Sequence, residues 1–545
     1  MDKPSKRAYP LGLLLFVLGA ILFYRLDSWG VTETSEARYA EIAWEMYHSG
    51  DYLHPRLLEI GHYHKPPLTY WITVVAYHLF GVSAWSARVF LQLALLVQVG
   101  LVFRIGRLLF NDRTIALGAS VVYASMPAVI IGTRGLTTDT YLATWVLLFV
   151  WAWLAFKRRG DYYYVLIAYA ALGLGFLTKG PVVLIVPLSV AWAINQLIRG
   201  GKAPGWLHAL GVLLMLLIGL SWFIKLYTEN AQFLDYFVLD HTVRRLATNQ
   251  FGRNKPFWFY WMLVPPLAFP WFLMILPPLF KNLRQPVGLP HLFLSWVVVP
   301  LVFFSIARSK LILYVLPVFP GIALMTAWYW FQLDSVLQKK WTTVFVVFAF
   351  VVVLGLLVTP AIVPTLYYTP LMYGMIGLIA ALALTTARVT TATNYQLPWA
   401  TFALTMTLTV FATHFLSNNP SLARDQRRVA AYLRRHYPSR TPVLVYNERL
   451  PSLAFGLQRP TVSLYDGDRS LQRETQFEQN RQWQRTLINL PEVGLPERYL
   501  SGAVVVAKTD DPLPKDFSRY RLDTTLDGWN IYTNPYDSLP IAPPE

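Results

Sequence analysis

A series of about thirteen long apolar segments constrains this chain more than any other feature, because a bilayer-crossing helix needs roughly 20 apolar residues. Hydrophobic residues make up 55% of the 545 residues and charged residues only 14%, against about a quarter in soluble globular proteins. The sequence therefore predicts a polytopic all-α membrane protein. The predicted spans cover residues 9–26, 88–110, 114–132, 139–156, 162–178, 181–198, 206–225, 257–280, 290–307, 311–331, 341–358, 368–386 and 397–416.

The short loops between the spans predict the orientation of the chain. Most of the net charge of +17 lies before Ser421, and every second loop there is basic. Because cytoplasmic loops are enriched in Lys and Arg, we expect a cytoplasmic N-terminus and, with an odd number of spans, an external C-terminus. This basic excess is an orientation signal, and no soluble stretch has the basic, aromatic-interleaved pattern that indicates nucleic-acid binding.

The first outer loop, residues 27–87, is too long and too patterned to be a simple linker. Residues Ser35–Tyr47 place Tyr39, Ile42 and Met46 on one helical face, so they predict an amphipathic helix in the plane of the membrane interface. Two prolines then open a second helix, Leu68–Phe80, which is too short to span.

The composition changes after Pro420, and the rest of the chain is expected to fold in water. We expect a membrane domain over residues 1–420 and a small α/β domain over residues 421–545. The pattern predicts one amphipathic helix and several short strands. These are a helix at Arg424–His436 and strands at Thr441–Tyr446, Thr461–Tyr465, Ala503–Ala507 and Trp529–Tyr532.

Ionisable residues gather on the outer side of the predicted membrane, where a charged side chain at membrane depth is costly and therefore a functional candidate. Glu36 and Asp139 each allow two readings: a carboxylate that caps or stabilises a helix start, or one that faces a cavity. Lys65 and Lys179 either reach towards water or bind an anionic head group. Together with nearby arginines, these lysines make a phosphate site plausible. The arginines are Arg38, Arg244 and Arg308.

Several familiar sites are missing from the sequence. The absence of cysteine excludes disulfides, thiolate metal sites and cysteine nucleophiles. We find no phosphate-binding P-loop, no glycine-rich dinucleotide motif and no catalytic-triad pattern. Histidines do not repeat at a metal-binding helical spacing, so solvated imidazoles are the simpler interpretation.

The motifs of the first outer loop resemble those of glycosyltransferases that use a polyprenyl-phosphate sugar. The segments are Ser35-Glu36-Ala37-Arg38-Tyr39-Ala40, Ser49-Gly50-Asp51-Tyr52, His64-Lys65-Pro66-Pro67-Leu68-Thr69-Tyr70-Trp71, Thr138-Asp139 and Leu177-Thr178-Lys179-Gly180-Pro181. The chain is most similar to the lipid A aminoarabinose transferases and, more distantly, to the protein O-mannosyltransferases. The resemblance extends over nearly the whole chain.

This resemblance implies a GT-C fold and site residues that share one reaction centre. It implies that Glu36 and Asp139 are the catalytic carboxylates. It implies that the donor phosphate is bound by Lys65, Arg38, Lys179 and Arg244. The family often has Asp before the loop glutamate, where this chain has Ser35, and tends to have Glu where this chain has His64. A zinc site could then use His64 and His241.

The expected function follows from the resemblance. The chain would move a sugar, such as 4-amino-4-deoxy-L-arabinose, from undecaprenyl phosphate to an envelope acceptor such as lipid A, with inversion. It would act as a monomer in the bacterial inner membrane, with the C-terminal domain in the periplasm. The alternatives are a glycosyltransferase that acts on protein or polysaccharide, and a secondary transporter or lipid flippase. A transporter would predict paired halves with broken helices, and the sequence shows no repeats.

Overall fold

The computed structural model describes residues 9–33, 35–235, 237, 255–282, 288–388, 396–466, 475, 477–478, 482–500 and 502–534. Long helices dominate the part before Asn419, as the apolar segments predict. Helices α1–α18 are Tyr9–Phe23, Ser35–Ser49, Leu68–Phe80, Ala84–Phe110, Arg113–Ala124, Pro127–Arg134, Thr138–Arg159, Tyr163–Lys179, Ile185–Leu197, Gly205–Glu229, Gln232–Asp235, Phe259–Leu267, Trp271–Asn282, Leu289–Ile306, Phe319–Trp330, Ser335–Ile362, Pro370–Arg388 and Gln396–Asn418.

The described helices confirm a multi-pass membrane protein. Eight of them are long and apolar enough to cross a bilayer, or nine if α5 and α6, which meet at 56°, form one broken span. Each predicted span coincides with one of these helices, with a shorter apolar helix or with a pair of helices. The count of thirteen itself stays a prediction, because several of the shorter helices do not reach bilayer length.

The chain forms two compact units. The first contains residues 1–25, 64–69 and 89–415, and the second contains residues 26–63, 70–88 and 416–545. The first outer loop therefore belongs mostly to the same unit as the C-terminal residues. The domain bounds of 1–420 and 421–545 stay a prediction.

Large aromatic side chains fill the core of the first unit, and two of the buried indoles have identified hydrogen-bond acceptors. Trp271, Trp296 and Trp330 are almost fully buried. The Trp271 indole donates to Ser125 Oγ at 2.9 Å, and the Trp296 indole donates to the Pro317 carbonyl at 3.0 Å. Buried indoles need such acceptors, so these bonds fix how the helices pack around them.

The C-terminal part of the second unit is built on a six-stranded sheet. Its strands lie in the order β5-β4-β3-β6-β8-β7. Strands β3 to β6 pair in parallel, whereas β8 is antiparallel to both β6 and β7. Strands β3–β8 are Val443–Tyr446, Val462–Tyr465, Leu487–Asn489, Val504–Lys508, Arg521–Leu526 and Trp529–Thr533, and a two-stranded hairpin in the first loop contains β1, Arg56–Leu57, and β2, Ile60–Gly61.

Both faces of the six-stranded sheet are covered, which confirms the predicted α/β domain. Val443, Val445 and Val504 pack on one face against the helix Arg427–His436. Leu444 and Val505 point to the other face, as the alternation of side chains along a strand requires. The helix Pro451–Leu457 lies with the first group. The four predicted strands and the predicted helix are present within three residues of their expected ends.

Two strands of this sheet were not predicted, for different reasons. Strand β5 has only three residues and too little pattern to be recognised. Strand β7 lies at the edge of the sheet, and its side chains are mostly exposed, so Arg521–Leu526 lacks a buried apolar stripe. Edge strands often carry charged residues because these discourage pairing with other chains.

Helix α2 confirms the predicted first-loop helix, but it differs from a simple interfacial helix. Glu36 is 6% exposed and Glu41 is fully buried, although both lie off the apolar face. Helix α2 packs against the helix Pro451–Leu457 within the second unit. The polar side of α2 is therefore buried as well, because residues from the C-terminal part of the chain pack against it. Local periodicity in the sequence cannot reveal such a long-range contact.

Candidate active site

The ends of two neighbouring helices bring together two of the predicted site residues in the first unit. Asp139 is the second residue of α7, and Lys179 is the last residue of α8. Lys179 Nζ donates to Asp139 Oδ1, and both side chains are nearly buried. The sequence predicted these residues in separate roles, and the structure shows them as one ion pair.

Helix dipoles favour this arrangement. A carboxylate is stabilised near a helix N-terminus and an ammonium group near a helix C-terminus, which are the positions of Asp139 and Lys179. Gly180 ends α8 with φ +78° and ψ −158°, a region that is essentially accessible only to glycine. The local sequence Thr178-Lys179-Gly180-Pro181 therefore fixes where the lysine stands.

A tyrosine ring lies beside the pair, and one carboxylate oxygen of the pair has no partner in the described chain. Lys179 Nζ lies 4.1 Å from the centroid of the Tyr314 ring, which contributes a further attraction for a cation. Asp139 Oδ2 has no hydrogen-bond partner in the part of the chain that the structure describes. A buried cation and a carboxylate oxygen that is available to accept a proton are both present at one point.

Glu36 forms a different kind of pair in the second unit. Arg88 Nε donates to Glu36 Oε1 at 2.7 Å, Arg88 Nη2 donates to Oε2 at 2.9 Å, and the Thr32 backbone N–H donates to Oε2 at 2.9 Å. Arg88 also donates to the carbonyls of Leu26, Trp29 and Gly30. All five N–H groups of the guanidinium therefore have an acceptor, and the pair holds the start of α2.

Arg88 is the residue that sequence reasoning missed. It is fully buried, lies near the start of α4 and stacks over the Trp29 ring at 4.6 Å. The available signal was an arginine at the outer end of an apolar run, since such a residue needs a partner at membrane depth. The sequence could not say that this partner would be Glu36, 52 positions earlier.

Lys65 and Arg38 lie in different units. Lys65 Nζ donates to the neighbouring His64 carbonyl at 3.1 Å and is partly buried in the first unit, with Asp139 and Lys179. Arg38 is partly buried in α2, in the second unit with Glu36. The prediction that Glu36, Lys65 and Asp139 share one cavity stays a prediction.

Two of the remaining predicted site residues belong to the segment before α12. His241 and Arg244 lie outside the described residues. Within the described ranges, no group of three or more His, Asp or Glu side chains could hold a metal ion. His64 alone offers one imidazole, and a structural or catalytic zinc needs at least three protein ligands. The zinc site therefore stays a prediction, and no chemical step is derived from it.

Comparison with known proteins shows similarity to lipid-dependent glycosyltransferases over part of the chain. Residues 64–224 match the family described as dolichyl-phosphate-mannose-protein mannosyltransferase. The undecaprenyl phosphate-α-4-amino-4-deoxy-L-arabinose arabinosyl transferase 1 of Pseudomonas fluorescens is 31% identical over 58% of this chain and 59% of the relative. The corresponding enzyme of Pectobacterium carotovorum is 30% identical over 58% of each chain.

Solved structures match over nearly the full length. The crystal structure of ArnT from Cupriavidus metallidurans bound to undecaprenyl phosphate has a TM-score of 0.78 at 23% identity, covering 98% of this chain and 99% of that one. The apo structure of the same protein has a TM-score of 0.74 at 24% identity, covering 96% and 98%. This chain has the ArnT fold.

The ArnT fold confirms the predicted resemblance and the predicted fold class, a helical membrane domain with a small C-terminal α/β domain. The sequence similarity to the arabinosyl transferases is more restricted than the structural one. The chain spans 59% and 60% of the length of the first two curated relatives. The family match begins at His64, so it includes Lys65, Asp139 and Lys179 but not Glu36.

Proposed function

We propose that this chain is a membrane glycosyltransferase that moves a sugar from undecaprenyl phosphate to an envelope acceptor such as lipid A, with inversion. The buried Asp139–Lys179 pair is the observation that carries this proposal. The names of the relatives, arabinosyl transferases that use an undecaprenyl-phosphate aminosugar, support the donor class and 4-amino-4-deoxy-L-arabinose as the sugar.

The site must stabilise the negative charge that develops on the leaving phosphate during transfer. An acceptor oxygen attacks the anomeric carbon while the bond from that carbon to the phosphate oxygen breaks. The leaving phosphate takes the electron pair, so a phosphodiester becomes a phosphate monoester with one more negative charge. A cation that is already fixed in place stabilises that charge without reorganising. Lys179 meets this requirement, and we propose that Lys65, Arg38 and Arg244 also bind the donor phosphate.

The acceptor decides whether a base is needed. A phosphate acceptor is already anionic and attacks without losing a proton. A hydroxyl acceptor must pass its proton to a base within hydrogen-bond reach, and Asp139 Oδ2 is the proposed acceptor of that proton. Glu36 is the second proposed carboxylate. A single displacement inverts the anomeric centre, so no covalent sugar–enzyme intermediate forms.

A protein acceptor is the second candidate, and one observation favours it. Residues 64–224 match a family described by mannosyl transfer to protein. The hydroxyl of a Ser or Thr side chain would then replace the acceptor phosphate, and transfer would depend on the base. A carboxamide at position 139 therefore separates the two candidates, because only hydroxyl transfer needs a proton acceptor there.

The orientation and assembly of the chain belong to the same proposal. We place it as a monomer in the bacterial inner membrane, with the N-terminus in the cytoplasm and the C-terminal domain in the periplasm. The basic loops between the spans support this orientation. Protease protection of tags at the two ends in sealed spheroplasts would measure it.

The test of the proposed function is sugar transfer by the full chain in membranes supplied with a radiolabelled undecaprenyl-phosphate sugar. Lys65→Ala and Lys179→Met are expected to reduce transfer to lipid A, with Arg435→Gln as the matched surface control. Wild-type rates in both site variants would reject the assignment of the site. Uptake or flipping of the lipid without any sugar transfer by the wild-type chain would favour the transporter.

A further inference from the structure

A cavity of about 510 Å³ lies entirely within the second unit, between helix α2 with its following hairpin and the C-terminal sheet domain. Its volume falls within the range of small-molecule sites, about 300–1,000 Å³. The residues at issue are Trp44, Glu45, Glu59, Arg459, Trp483 and Arg485. None of them is part of the site proposed for sugar transfer.

Three arginines line the cavity, and Arg56 donates to the Glu59 carbonyl whereas the other two have no such partner in the described chain. Arg459 is partly buried and Arg485 is exposed, and neither guanidinium has a hydrogen-bond or ion-pair partner among the described residues. Burial lowers the pKa of Arg459, the direction expected for a cation that loses water without gaining a counter-charge. Both side chains are therefore suited to an anion that carries several oxygens, since guanidinium groups bind phosphate in a forked geometry.

Three carboxyl groups line the same cavity, Glu45, Glu59 and Glu478, and in the described part of the chain none of them forms an ion pair with Arg459 or Arg485. Glu45 Oε1 accepts from the Leu58 backbone N–H at 2.5 Å and Oε2 from the Glu59 backbone N–H at 3.1 Å. Burial raises the pKa of Glu45 to about 7. Glu478 Oε1 accepts from the Gly61 backbone N–H at 2.7 Å. The first-loop backbone therefore holds Glu45 and Glu478 in place, and a carboxylate has further lone pairs with which to accept hydrogen bonds.

Aromatic side chains supply the third element of the cavity. Trp44 is 6% exposed and is stacked against His48, with ring centroids 5.4 Å apart and an interplanar angle of 12°. Trp483 is partly buried on the C-terminal side of the same cavity. An inorganic anion gains nothing from contact with indole rings. A sugar ring, in contrast, packs its C–H groups against indole rings and donates hydrogen bonds from its hydroxyl groups to carboxylates.

We propose that this cavity binds a phosphorylated saccharide, with the phosphate on Arg459 and Arg485, the ring against Trp44 and Trp483, and the hydroxyl or amino groups on Glu45 and Glu59. The site goes beyond the proposed transfer reaction, and its test does not require transfer activity. The phosphorylated sugar is either the head group of a glycolipid or a free sugar phosphate.

The test is calorimetric titration of the full purified chain in detergent micelles with glucosamine 1-phosphate. Binding is expected to be at least about tenfold tighter than for glucosamine or for inorganic phosphate, a difference of about 1.4 kcal/mol. Arg459→Gln and Arg485→Gln should each weaken it by about tenfold, and Trp483→Leu should weaken it while leaving inorganic phosphate unchanged. Arg435→Gln, an exposed arginine outside the cavity, should bind like the wild type.

Three results would overturn the proposal: no binding of glucosamine 1-phosphate, equal binding by the cavity variants and the control, or equally tight binding of phosphate or of uridine monophosphate. Thermal unfolding of each variant checks that the fold is intact, and the titration of the exposed Arg485→Gln variant decides if Arg459→Gln unfolds. A micelle-dispersed glycolipid with the same phosphorylated sugar, used as a competitor, separates the sources. Tighter binding of the glycolipid assigns a lipid head group, and equal binding assigns a free sugar phosphate.

Discussion

Arg88 bonds both oxygens of Glu36, with Nε–Oε1 at 2.7 Å and Nη2–Oε2 at 2.9 Å, and so joins the start of α4 to the start of α2. Both side chains are buried. Removing one partner from such a pair leaves an uncompensated buried charge, which typically costs about 3–5 kcal/mol. We expect Arg88→Gln to lower the free energy of unfolding by about that amount, as measured by thermal and denaturant unfolding in detergent.

Arg435→Gln is the matched control for this change, since Arg435 is an exposed arginine on the helix Arg427–His436. Its stability should stay within about 0.5 kcal/mol of the wild type. A transfer assay that compares Glu36→Gln with Arg88→Gln tests the role of Glu36. If Glu36 is a catalytic carboxylate, Glu36→Gln should reduce sugar transfer per folded molecule more than Arg88→Gln does. Equal losses in both variants would assign Glu36 to positioning of the loop alone.

The Asp139–Lys179 pair predicts an effect on rate that depends on charge and position. Lys179→Met removes the cation proposed to stabilise the leaving phosphate, and the loss of one such group typically costs about 100-fold in kcat. Lys179→Arg keeps the charge and should retain more activity than Lys179→Met. Initial rates of sugar transfer at saturating donor measure the difference. Identical rates for the Arg and Met variants would show that charge at this position does not matter.

The backbone conformation of Gly180 predicts that any other residue at this position lowers the stability of the fold. With φ +78° and ψ −158°, a residue with a Cβ is strained by about 1–3 kcal/mol, so Gly180→Ala should destabilise the chain and displace Lys179. Gly160, with φ +87° and ψ −5°, is the control, because the left-handed helical region that it occupies admits Asn. Gly160→Asn should be tolerated, whereas Gly180→Asn should not, as judged by unfolding temperature and transfer rate.

Three carboxyl groups at helix α2 predict that the second unit is less stable at higher pH. Burial raises the pKa of Glu33 and of Glu45 to about 7, and burial together with the neighbouring Glu45 raises the pKa of Glu41 well above its usual value. Arg38 and Arg449 oppose these shifts, while Glu448 and Glu59 add to them. Tyr77 also faces Glu41.

The sign follows from proton uptake. A carboxyl whose pKa is higher in the folded than in the unfolded state binds more protons when folded, so its contribution to stability is full below the unfolded value of 4.5 and declines as the pH rises to about 7. Thermal unfolding at pH 5 to 8 should therefore show a falling transition temperature. Glu41→Gln, which is neutral at every pH, should flatten this dependence, and an unchanged slope would contradict the assignment.

The helical framework was largely predictable from sequence. Apolar segments of bilayer length specify helices regardless of their partners, because backbone groups in lipid must be satisfied within the segment. The helix Leu68–Phe80 was predicted at its observed bounds because two prolines mark its start. The bend between α5 and α6, which meet at 56° within one apolar run, was not predicted, although Pro127 at the first position of α6 is a local signal for it, because proline cannot donate the next helical hydrogen bond.

The candidate site was predicted as a set of residues but not as a set of pairs. The motif residues Glu36, Asp139 and Lys179 were identified from local sequence, and tertiary contacts then assigned Lys179 to Asp139 and Arg88 to Glu36. A side chain's type and its place on a helix are local properties, which one segment of sequence contains. The identity of its partner depends on how segments 40 or 52 positions apart fold together.

Sequence alone determined that this chain is a multi-pass membrane protein and which segments are apolar, because hydrophobic length is a property of the chain itself. Tertiary structure alone decided that the first outer loop and the C-terminal domain form one unit, that Glu41 is buried, and that a cavity with two unpaired arginines opens between them. Burial and pairing arise only when distant segments exclude water from each other, and a linear sequence does not record which segments do so.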